Sequence, residues 1–271
     1  SDPTSLLQDL FPAMSASEIR GLMQETQSLK WEYAPWVLVR EEPARKKYIN
    51  ILPEGYRSNG RTAAAEPVLK IYFFGGSTGF GWGVRDQDTI PAQLETHLRR
   101  LNPRIQVYNF ARSNYWSDQE TVLLWSLIQE GHRPDIVVFL DGLNEGQIDP
   151  QYAPEMRRLF DLANTKRDFL LLTAFEDIAI VKAIRTLLPR QVPERFFLSE
   201  RRYYVAGDAP KIAARWATNR EVVRALGERH HFKPYFFIQP ILGYKNPWHK
   251  HRFNRESVQD ELGSKIWTPS T

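Results

Sequence analysis

From residue 69 onward, apolar positions fall into short continuous runs separated by stretches with a helical period. Leu69-Lys70-Ile71-Tyr72-Phe73-Phe74 is such a run, rich in β-branched and aromatic residues, and it stops abruptly in glycines. It predicts a buried strand. Ile90 to about Leu101 carries Leu94 and Leu98 on one face and predicts a helix. Ile105–Phe110 predicts a second strand. Ser117-Asp118-Gln119-Glu120 is a capping-box pattern opening a helix to about Glu130, which Gly131 ends. Asp135-Ile136-Val137-Val138-Phe139-Leu140 reads as a strand of a parallel sheet covered on both faces. Such alternation predicts a doubly wound α/β fold with a mainly parallel sheet.

The flanking stretches are less regular. Residues 1–66 predict an N-terminal arm that packs on the core through its aromatics. Within it, Ser15-Ala16-Ser17-Glu18 followed by Ile19, Leu22 and Met23 reads as a capped amphipathic helix. Trp31 to Trp36 is aromatic-rich, and Gly55 to Gly60 is turn-rich. Ala63–Pro67 is a short linker into the first strand. The core is expected over residues 67–245, mostly helical by period across 151–231, with an insertion at about 189–208. Phe169–Phe175 fits strand or helix. Ala209–His231 predicts a long helix and Tyr235–Gln239 a further buried strand stopped by Pro240. Residues 246–271 form an irregular tail. No internal repeat and no low-complexity segment stands out.

Composition narrows the classes. At 271 residues, with 42% hydrophobic and 25% charged, the chain suits a globular protein with a sizeable core. The net charge of +4 is mild, and its Lys and Arg are scattered. No interleaved basic and aromatic array singles out nucleic acid. With no cysteine, disulfides and Cys-ligated metal are excluded. No run of 18 apolar residues predicts a membrane span. The chain opens Ser1-Asp2-Pro3 without methionine, which reads as an engineered or a processed start, compatible with removal of a signal or anchor.

The chemistry gathers after three strands. Gly75-Gly76-Ser77-Thr78-Gly79-Phe80-Gly81 follows the first. Strand, tight turn, serine, helix is how α/β enzymes present a nucleophile. Gly76 to Gly81 has the glycine spacing of a phosphate loop, but Trp82 stands where lysine is needed. Gly79, Gly81 and Gly83 alternate, which misses the dinucleotide fingerprint. A glycine-rich turn with a bystander serine is the competing account. Asn109-Phe110-Ala111-Arg112-Ser113-Asn114 follows the second strand, and Asp141-Gly142-Leu143-Asn144-Glu145 the third. Acyl transfer needs a nucleophile and pre-aimed donors for the oxyanion. Ser77 offers its hydroxyl and its N–H, Ala111 an N–H, and Asn144 a side-chain amide. Gly76, Thr78, Asn114, Gly142 and Glu145 flank these and are expected beside the substrate. Asp141 is a candidate acceptor behind them. His97, His132, His230 and His231 read as structural. No metal-ligand spacing appears, and Glu176-Asp177 reads as a solvated pair.

With these residues in hand, the chain resembles the SGNH (GDSL-like) hydrolases over about residues 70–145. Gly75-Gly76-Ser77-Thr78 is similar to their first block, Asn109-Phe110-Ala111 to the second, and Gly142-Leu143-Asn144-Glu145 to the third. The match is nearest a bacterial branch with Phe-Gly-Gly-Ser-Thr and Asp-Gly-Leu-Asn. Ala111 departs from the second-block glycine, Gly76 from the aspartate before the serine, and Glu145 from an aspartate. The resemblance implies a flavodoxin-like fold and a serine ester hydrolase that needs no cofactor. It implies a small-molecule or O-acyl glycan ester as substrate, no nucleic-acid partner, and an extracytoplasmic location with any membrane tether outside this chain. The family's Asp-x-x-His block, source of its general base, has no copy here. Asn246-Pro247-Trp248-His249, with His251 two residues on, is the nearest form; otherwise the block lies beyond Thr271 or is missing. An O-acetyltransferase and a non-catalytic envelope module are the alternatives.

Overall fold

The computed structural model describes residues 8, 11–142, 144–146 and 209–239. The chain divides into two compact units, 1–145 with 210–271, and 146–209. The second lies almost wholly outside the described residues, as do Phe169–Phe175, Glu176-Asp177, the insertion at about 189–208 and the tail 246–271.

The apolar run at residue 69 forms the central strand. After α1 (Ala16–Gln27) come two short hairpins, β1 (Trp31–Ala34) with β2 (Leu38–Glu41) and β3 (Ala44–Arg45) with β4 (Asn50–Ile51). Then follow β5 (Leu69–Gly75), a one-turn helix α2 (Ser77–Phe80), α3 (Ile90–Leu98), β6 (Ile105–Asn109), α4 (Ser117–Gln129), β7 (Ile136–Asp141), α5 (Ala209–His230) and β8 (Lys233–Ile238). The main sheet runs β6-β5-β7-β8, parallel at every pairing. That order, 2-1-3-4 in chain sequence, is doubly wound and flavodoxin-like.

Both faces of β5, β6 and β7 are covered, whereas β8, expected to be buried, exposes Tyr235, Phe237 and Ile238 at 42%, 53% and 66%. On one face, Ile71, Phe73 and Val107 pack with Ile19 and Leu22 of α1 and with Leu94 and Leu98 of α3. On the other, Tyr72, Phe74, Val137 and Phe139 pack with Leu124, Leu127 and Ile128 of α4 and with Val223 of α5. Phe110, Phe74, Phe139 and Phe236 stack in that order across that face, at centroid separations of 5.8, 5.1 and 5.3 Å. Two-sided burial is why these strands read as apolar runs rather than as alternations.

Three local expectations are corrected. The arm does not pack through the aromatics of its first hairpin, because Tyr33 and Trp36 are 75% and 76% exposed. Aliphatic Ile19, Leu22, Ile49 and Ile51 carry the packing, with Tyr48. Ser117 does not cap its own helix. Trp116 is the N-cap without a side-chain bond, and Ser117 is engaged elsewhere. Strand β8 begins two residues earlier than Tyr235 and includes Pro234. Among the described strands it lies at the sheet edge, where proline is tolerated.

Gly227 sets how closely α5 meets the start of β8. A Cβ there would stand 2.8 Å from the Phe232 carbonyl oxygen. Alanine gains about 1 kcal/mol of helix propensity over glycine, but a backbone clash of this kind costs about 1–3 kcal/mol. Gly227→Ala is therefore expected to lower the thermal midpoint. A raised midpoint in a melting experiment would show that the chain yields there at little cost.

Candidate functional site

The three segments singled out by sequence leave β5, β6 and β7 at their C-terminal ends, on one edge of one sheet. The order reverses between β5 and β7, and ligands of such sheets bind outside that reversal. Ser77 is the first residue of α2, half-buried, with Gly76 as an N-cap that offers no side chain. The first amides of a helix have no intrahelical partner. Among the described residues nothing hydrogen-bonds Ser77 Oγ.

Asn144 comes from the turn after β7. Its Nδ2 donates to the Tyr115 carbonyl at 2.7 Å. A carboxamide has two N–H groups, and among the described residues only one of them has a partner. The same nitrogen sits directly over Gly76, so a Cβ on that residue would fall inside its van der Waals radius. Gly76 has φ −78° and ψ −156°, a conformation open to other residues. The glycine is there for space.

Ala111 is fully buried, and its N–H faces Asn109 Oδ1 at 3.2 Å. Its φ is not positive, so alanine replaces glycine without strain. Asn109 Nδ2 reaches back to the Gly79 carbonyl at 3.2 Å, which ties the second segment to the helix bearing Ser77. Thr78 is half-buried beside Ser77, and Gly142 half-buried after β7. Asn114 is exposed at φ 62°, which asparagine adopts more readily than most residues. Glu145 is not at the surface. Both its carboxylate oxygens are held by Ser117, from the N–H at 2.6 Å and the hydroxyl at 2.9 Å. It serves as the N-terminal cap that Ser117 was expected to provide.

His249 and His251 lie outside the described residues. His132 pairs with the Tyr72 hydroxyl at 2.9 Å, and His97 Nδ1 donates to the Gln93 carbonyl at 2.7 Å. His97 ends α3, while His132, His230 and His231 precede β7 and β8. Because the sheet is parallel, all four stand at the edge opposite Ser77. Among the described residues, no imidazole is at the site.

Sequence reasoning missed the scaffold. Arg57 is fully buried, with Nε on Asp86 Oδ1 at 3.0 Å. Nη1 donates to the Phe80 and Gly81 carbonyls at 2.9 and 2.6 Å, and Nη2 to Val84 at 2.7 Å. It fastens the loop that follows Ser77. Beside that loop is a pocket of about 320 Å³ whose lining includes Ser77, Thr78 and Trp82. The turn-rich signal at 55–60 located Arg57 without giving it a partner. Asp141 accepts from Trp216 Nε1 at 2.7 Å. Burial and the neighbouring Asp141 carboxyl hold Glu120 well above the usual carboxylate range.

No family model and no curated protein matches this chain. Among solved structures, the SGNH-hydrolase family esterase AlinE4 is similar at 17% identity and a TM-score of 0.28, over 72% of this chain and 92% of that one. LAE5, an alpha/beta hydrolase enzyme from the metagenome of Lake Arreo, Spain, is similar at 18% identity and a TM-score of 0.28, over 64% of this chain and 78% of that one. Likenesses at so low a TM-score carry no argument. The α/β fold rests on the sheet itself.

Burial pushes the Glu145 carboxyl up to about 7, with the Asp141 carboxyl adding to the shift against the Ser117 donors and Arg215. A carboxyl raised on folding stabilises while protonated. Its contribution is complete below its unfolded value of about 4.3 and is lost as pH climbs through about 7. The thermal midpoint is therefore expected to fall between about pH 5 and pH 8, and Glu145→Gln to flatten the slope. An unchanged slope in melting curves across pH would assign the dependence to Glu120.

Proposed function

We propose that this protein is a serine ester hydrolase of the SGNH type, acting outside the cytoplasm on a small-molecule or glycan ester. The observation that carries the reading is the Asn144 amide, seated over Gly76 next to Ser77, whose Nδ2 has the Tyr115 carbonyl as its one hydrogen-bond partner among the described residues. Ser77 Oγ bonds to the ester carbonyl carbon. The bond to the alkoxide then breaks, and the alcohol leaves with the serine proton, carried by a base. Water next adds its hydroxyl to the acyl carbon, its proton passing through the same base to Oγ as the acyl–Oγ bond breaks and the carboxylic acid leaves. The oxyanion formed in each half is held by the N–H groups of Ser77 and Ala111 and by Asn144 Nδ2. The Ala111 N–H can turn from Asn109 because that bond, at 3.2 Å, is at the long end of the range. Thr78, Asn114 and Gly142 frame the substrate. The base is His249 or His251, from the segment after β8, which follows the same sheet edge in sequence. Given an alcohol in place of water, the same steps describe an acetyltransferase.

A second reading has its own support. The sequence contains no Asp-x-x-His and adds an N-terminal arm and an aromatic-rich tail, which suits a non-catalytic module that binds a glycan or docks in an envelope assembly. A fluorophosphonate probe and p-nitrophenyl acetate separate the two. Labelling and turnover that vanish in Ser77→Ala support the enzyme, and the absence of both in the intact chain would leave the binding module.

Asn144→Ala is expected to lower kcat by about 10²–10³-fold with little change in KM. Gly76→Ala should produce a similar loss by displacing the amide. The double variant should be scarcely worse than either, since the two changes remove one interaction. Additive losses in steady-state kinetics would break the link between them.

A further inference from the structure

The pocket beside Ser77 has walls that no step above uses. It begins at Ser77 and Thr78 and is bounded by Trp82, Val84 and Ile90, with Asp88 also in its lining. Trp82 and Ile90 are each 44% exposed, and neither belongs to a core cluster. The Gly81–Val84 wall is fixed from behind. Arg57 holds its carbonyls at 2.6 and 2.7 Å, and Met23 Sδ of α1 would lie 3.7 Å from a Cβ on Gly83. A rigid apolar wall flanked by half-exposed large side chains is the form of a small-molecule subsite.

We infer that this pocket receives the acyl chain of the ester and that Trp82 sets its length limit; the inference rests on the hydrolase reading of Ser77. The acyl group stays bonded to Oγ through the second half-reaction, whereas the alcohol departs. A walled site that starts at the nucleophile serves the group that stays. A methylene fills roughly the liquid share of one water, about 30 Å³, so 320 Å³ holds about ten heavy atoms. With the carbonyl and an open mouth taking part of that space, the fitted chain is about four to eight carbons.

The test is a matrix of esters. One series lengthens the acyl chain of p-nitrophenyl esters from two to about twelve carbons. The other lengthens the alcohol of alkyl acetates. The wild type is expected to gain about fourfold in kcat/KM per methylene up to its optimum and to decline beyond it. Trp82→Ala should move the acyl optimum to longer chains, and Ile90→Trp should move it to shorter ones. Ser77-dependent turnover with an acyl profile unchanged in both variants overturns the assignment and leaves the hydrolase reading standing. A shift confined to the alcohol series also overturns it, by giving the pocket to the leaving group. No Ser77-dependent turnover of any ester overturns the hydrolase reading, and the pocket assignment falls with it.

Discussion

Arg57 carries its charge at full burial, and the loop after Ser77 is folded around it. Burial lowers the guanidinium's pKa, and the Asp86 carboxylate opposes that shift. The planar fork offers five N–H groups, and here four bonds leave it, one to Asp86 and three to backbone carbonyls. A lysine has no such fork and could not reach three carbonyls and a carboxylate together. Removing one member of a buried pair costs about 3–5 kcal/mol, because the other charge is left unpaired. Asp86 in turn accepts from the Asn50 N–H and side chain, which closes the link between the first 66 residues and the helix that bears Ser77. The N-terminal arm is therefore part of the site's frame.

A second buried network ties α5 to the other side of that frame. Trp216 donates to Asp141, Asn219 to the Ser117 hydroxyl at 2.8 Å, and Arg215 to the Glu145 carbonyl at 3.0 Å. Glu120, Asp141 and Glu145 all have raised affinity for protons, and burial is the leading cause in each. These carboxyls sit below the sheet edge that bears Ser77 and Asn144. The raised proton affinity is what a low-dielectric cluster of like charges produces, since each charge disfavours the next.

The sheet was legible because two-sided burial writes itself as apolar runs, and β5, β6 and β7 were found within a residue or two of their bounds. Segments after parallel strands share an edge by topology, so Ser77, Ala111 and Asn144 could be placed on one edge before any coordinates. Long-range pairings were not legible. Ser117-x-x-Glu120 satisfies the local capping pattern, but Glu145, 28 residues on, takes both Ser117 donors. Helical period then puts Glu120 on the inner face with Leu124 and Leu127, where its carboxyl meets Asp141. Arg57 gave no signal because its partners are mostly carbonyls, which carry no side-chain identity. The Trp31–Glu41 hairpin misled for the opposite reason: aromatic content was taken for burial, but Tyr33 and Trp36 are exposed while Ala34, Val37 and Glu41 are buried.

The glycine before the serine joins these strands of argument. Its backbone is unstrained, so conformational freedom does not explain it; the space above it does. The Asn144 amide occupies that space because Tyr115, on the segment after β6, accepts one of its N–H groups. Tyr115 is itself fixed, buried to 1% and donating its hydroxyl to the Val39 carbonyl of β2 at 2.6 Å. The arm, the second segment and the third segment thus converge on one carboxamide, which Gly76 admits to within reach of Ser77. A side chain at residue 76 would push that amide away from its Tyr115 anchor, leaving a buried carbonyl and a loose donor where a preorganised one had been. Oxyanion stabilisation depends on donors that need no reorganisation, and leaving out a side chain at residue 76 is what keeps the Asn144 amide on its Tyr115 anchor.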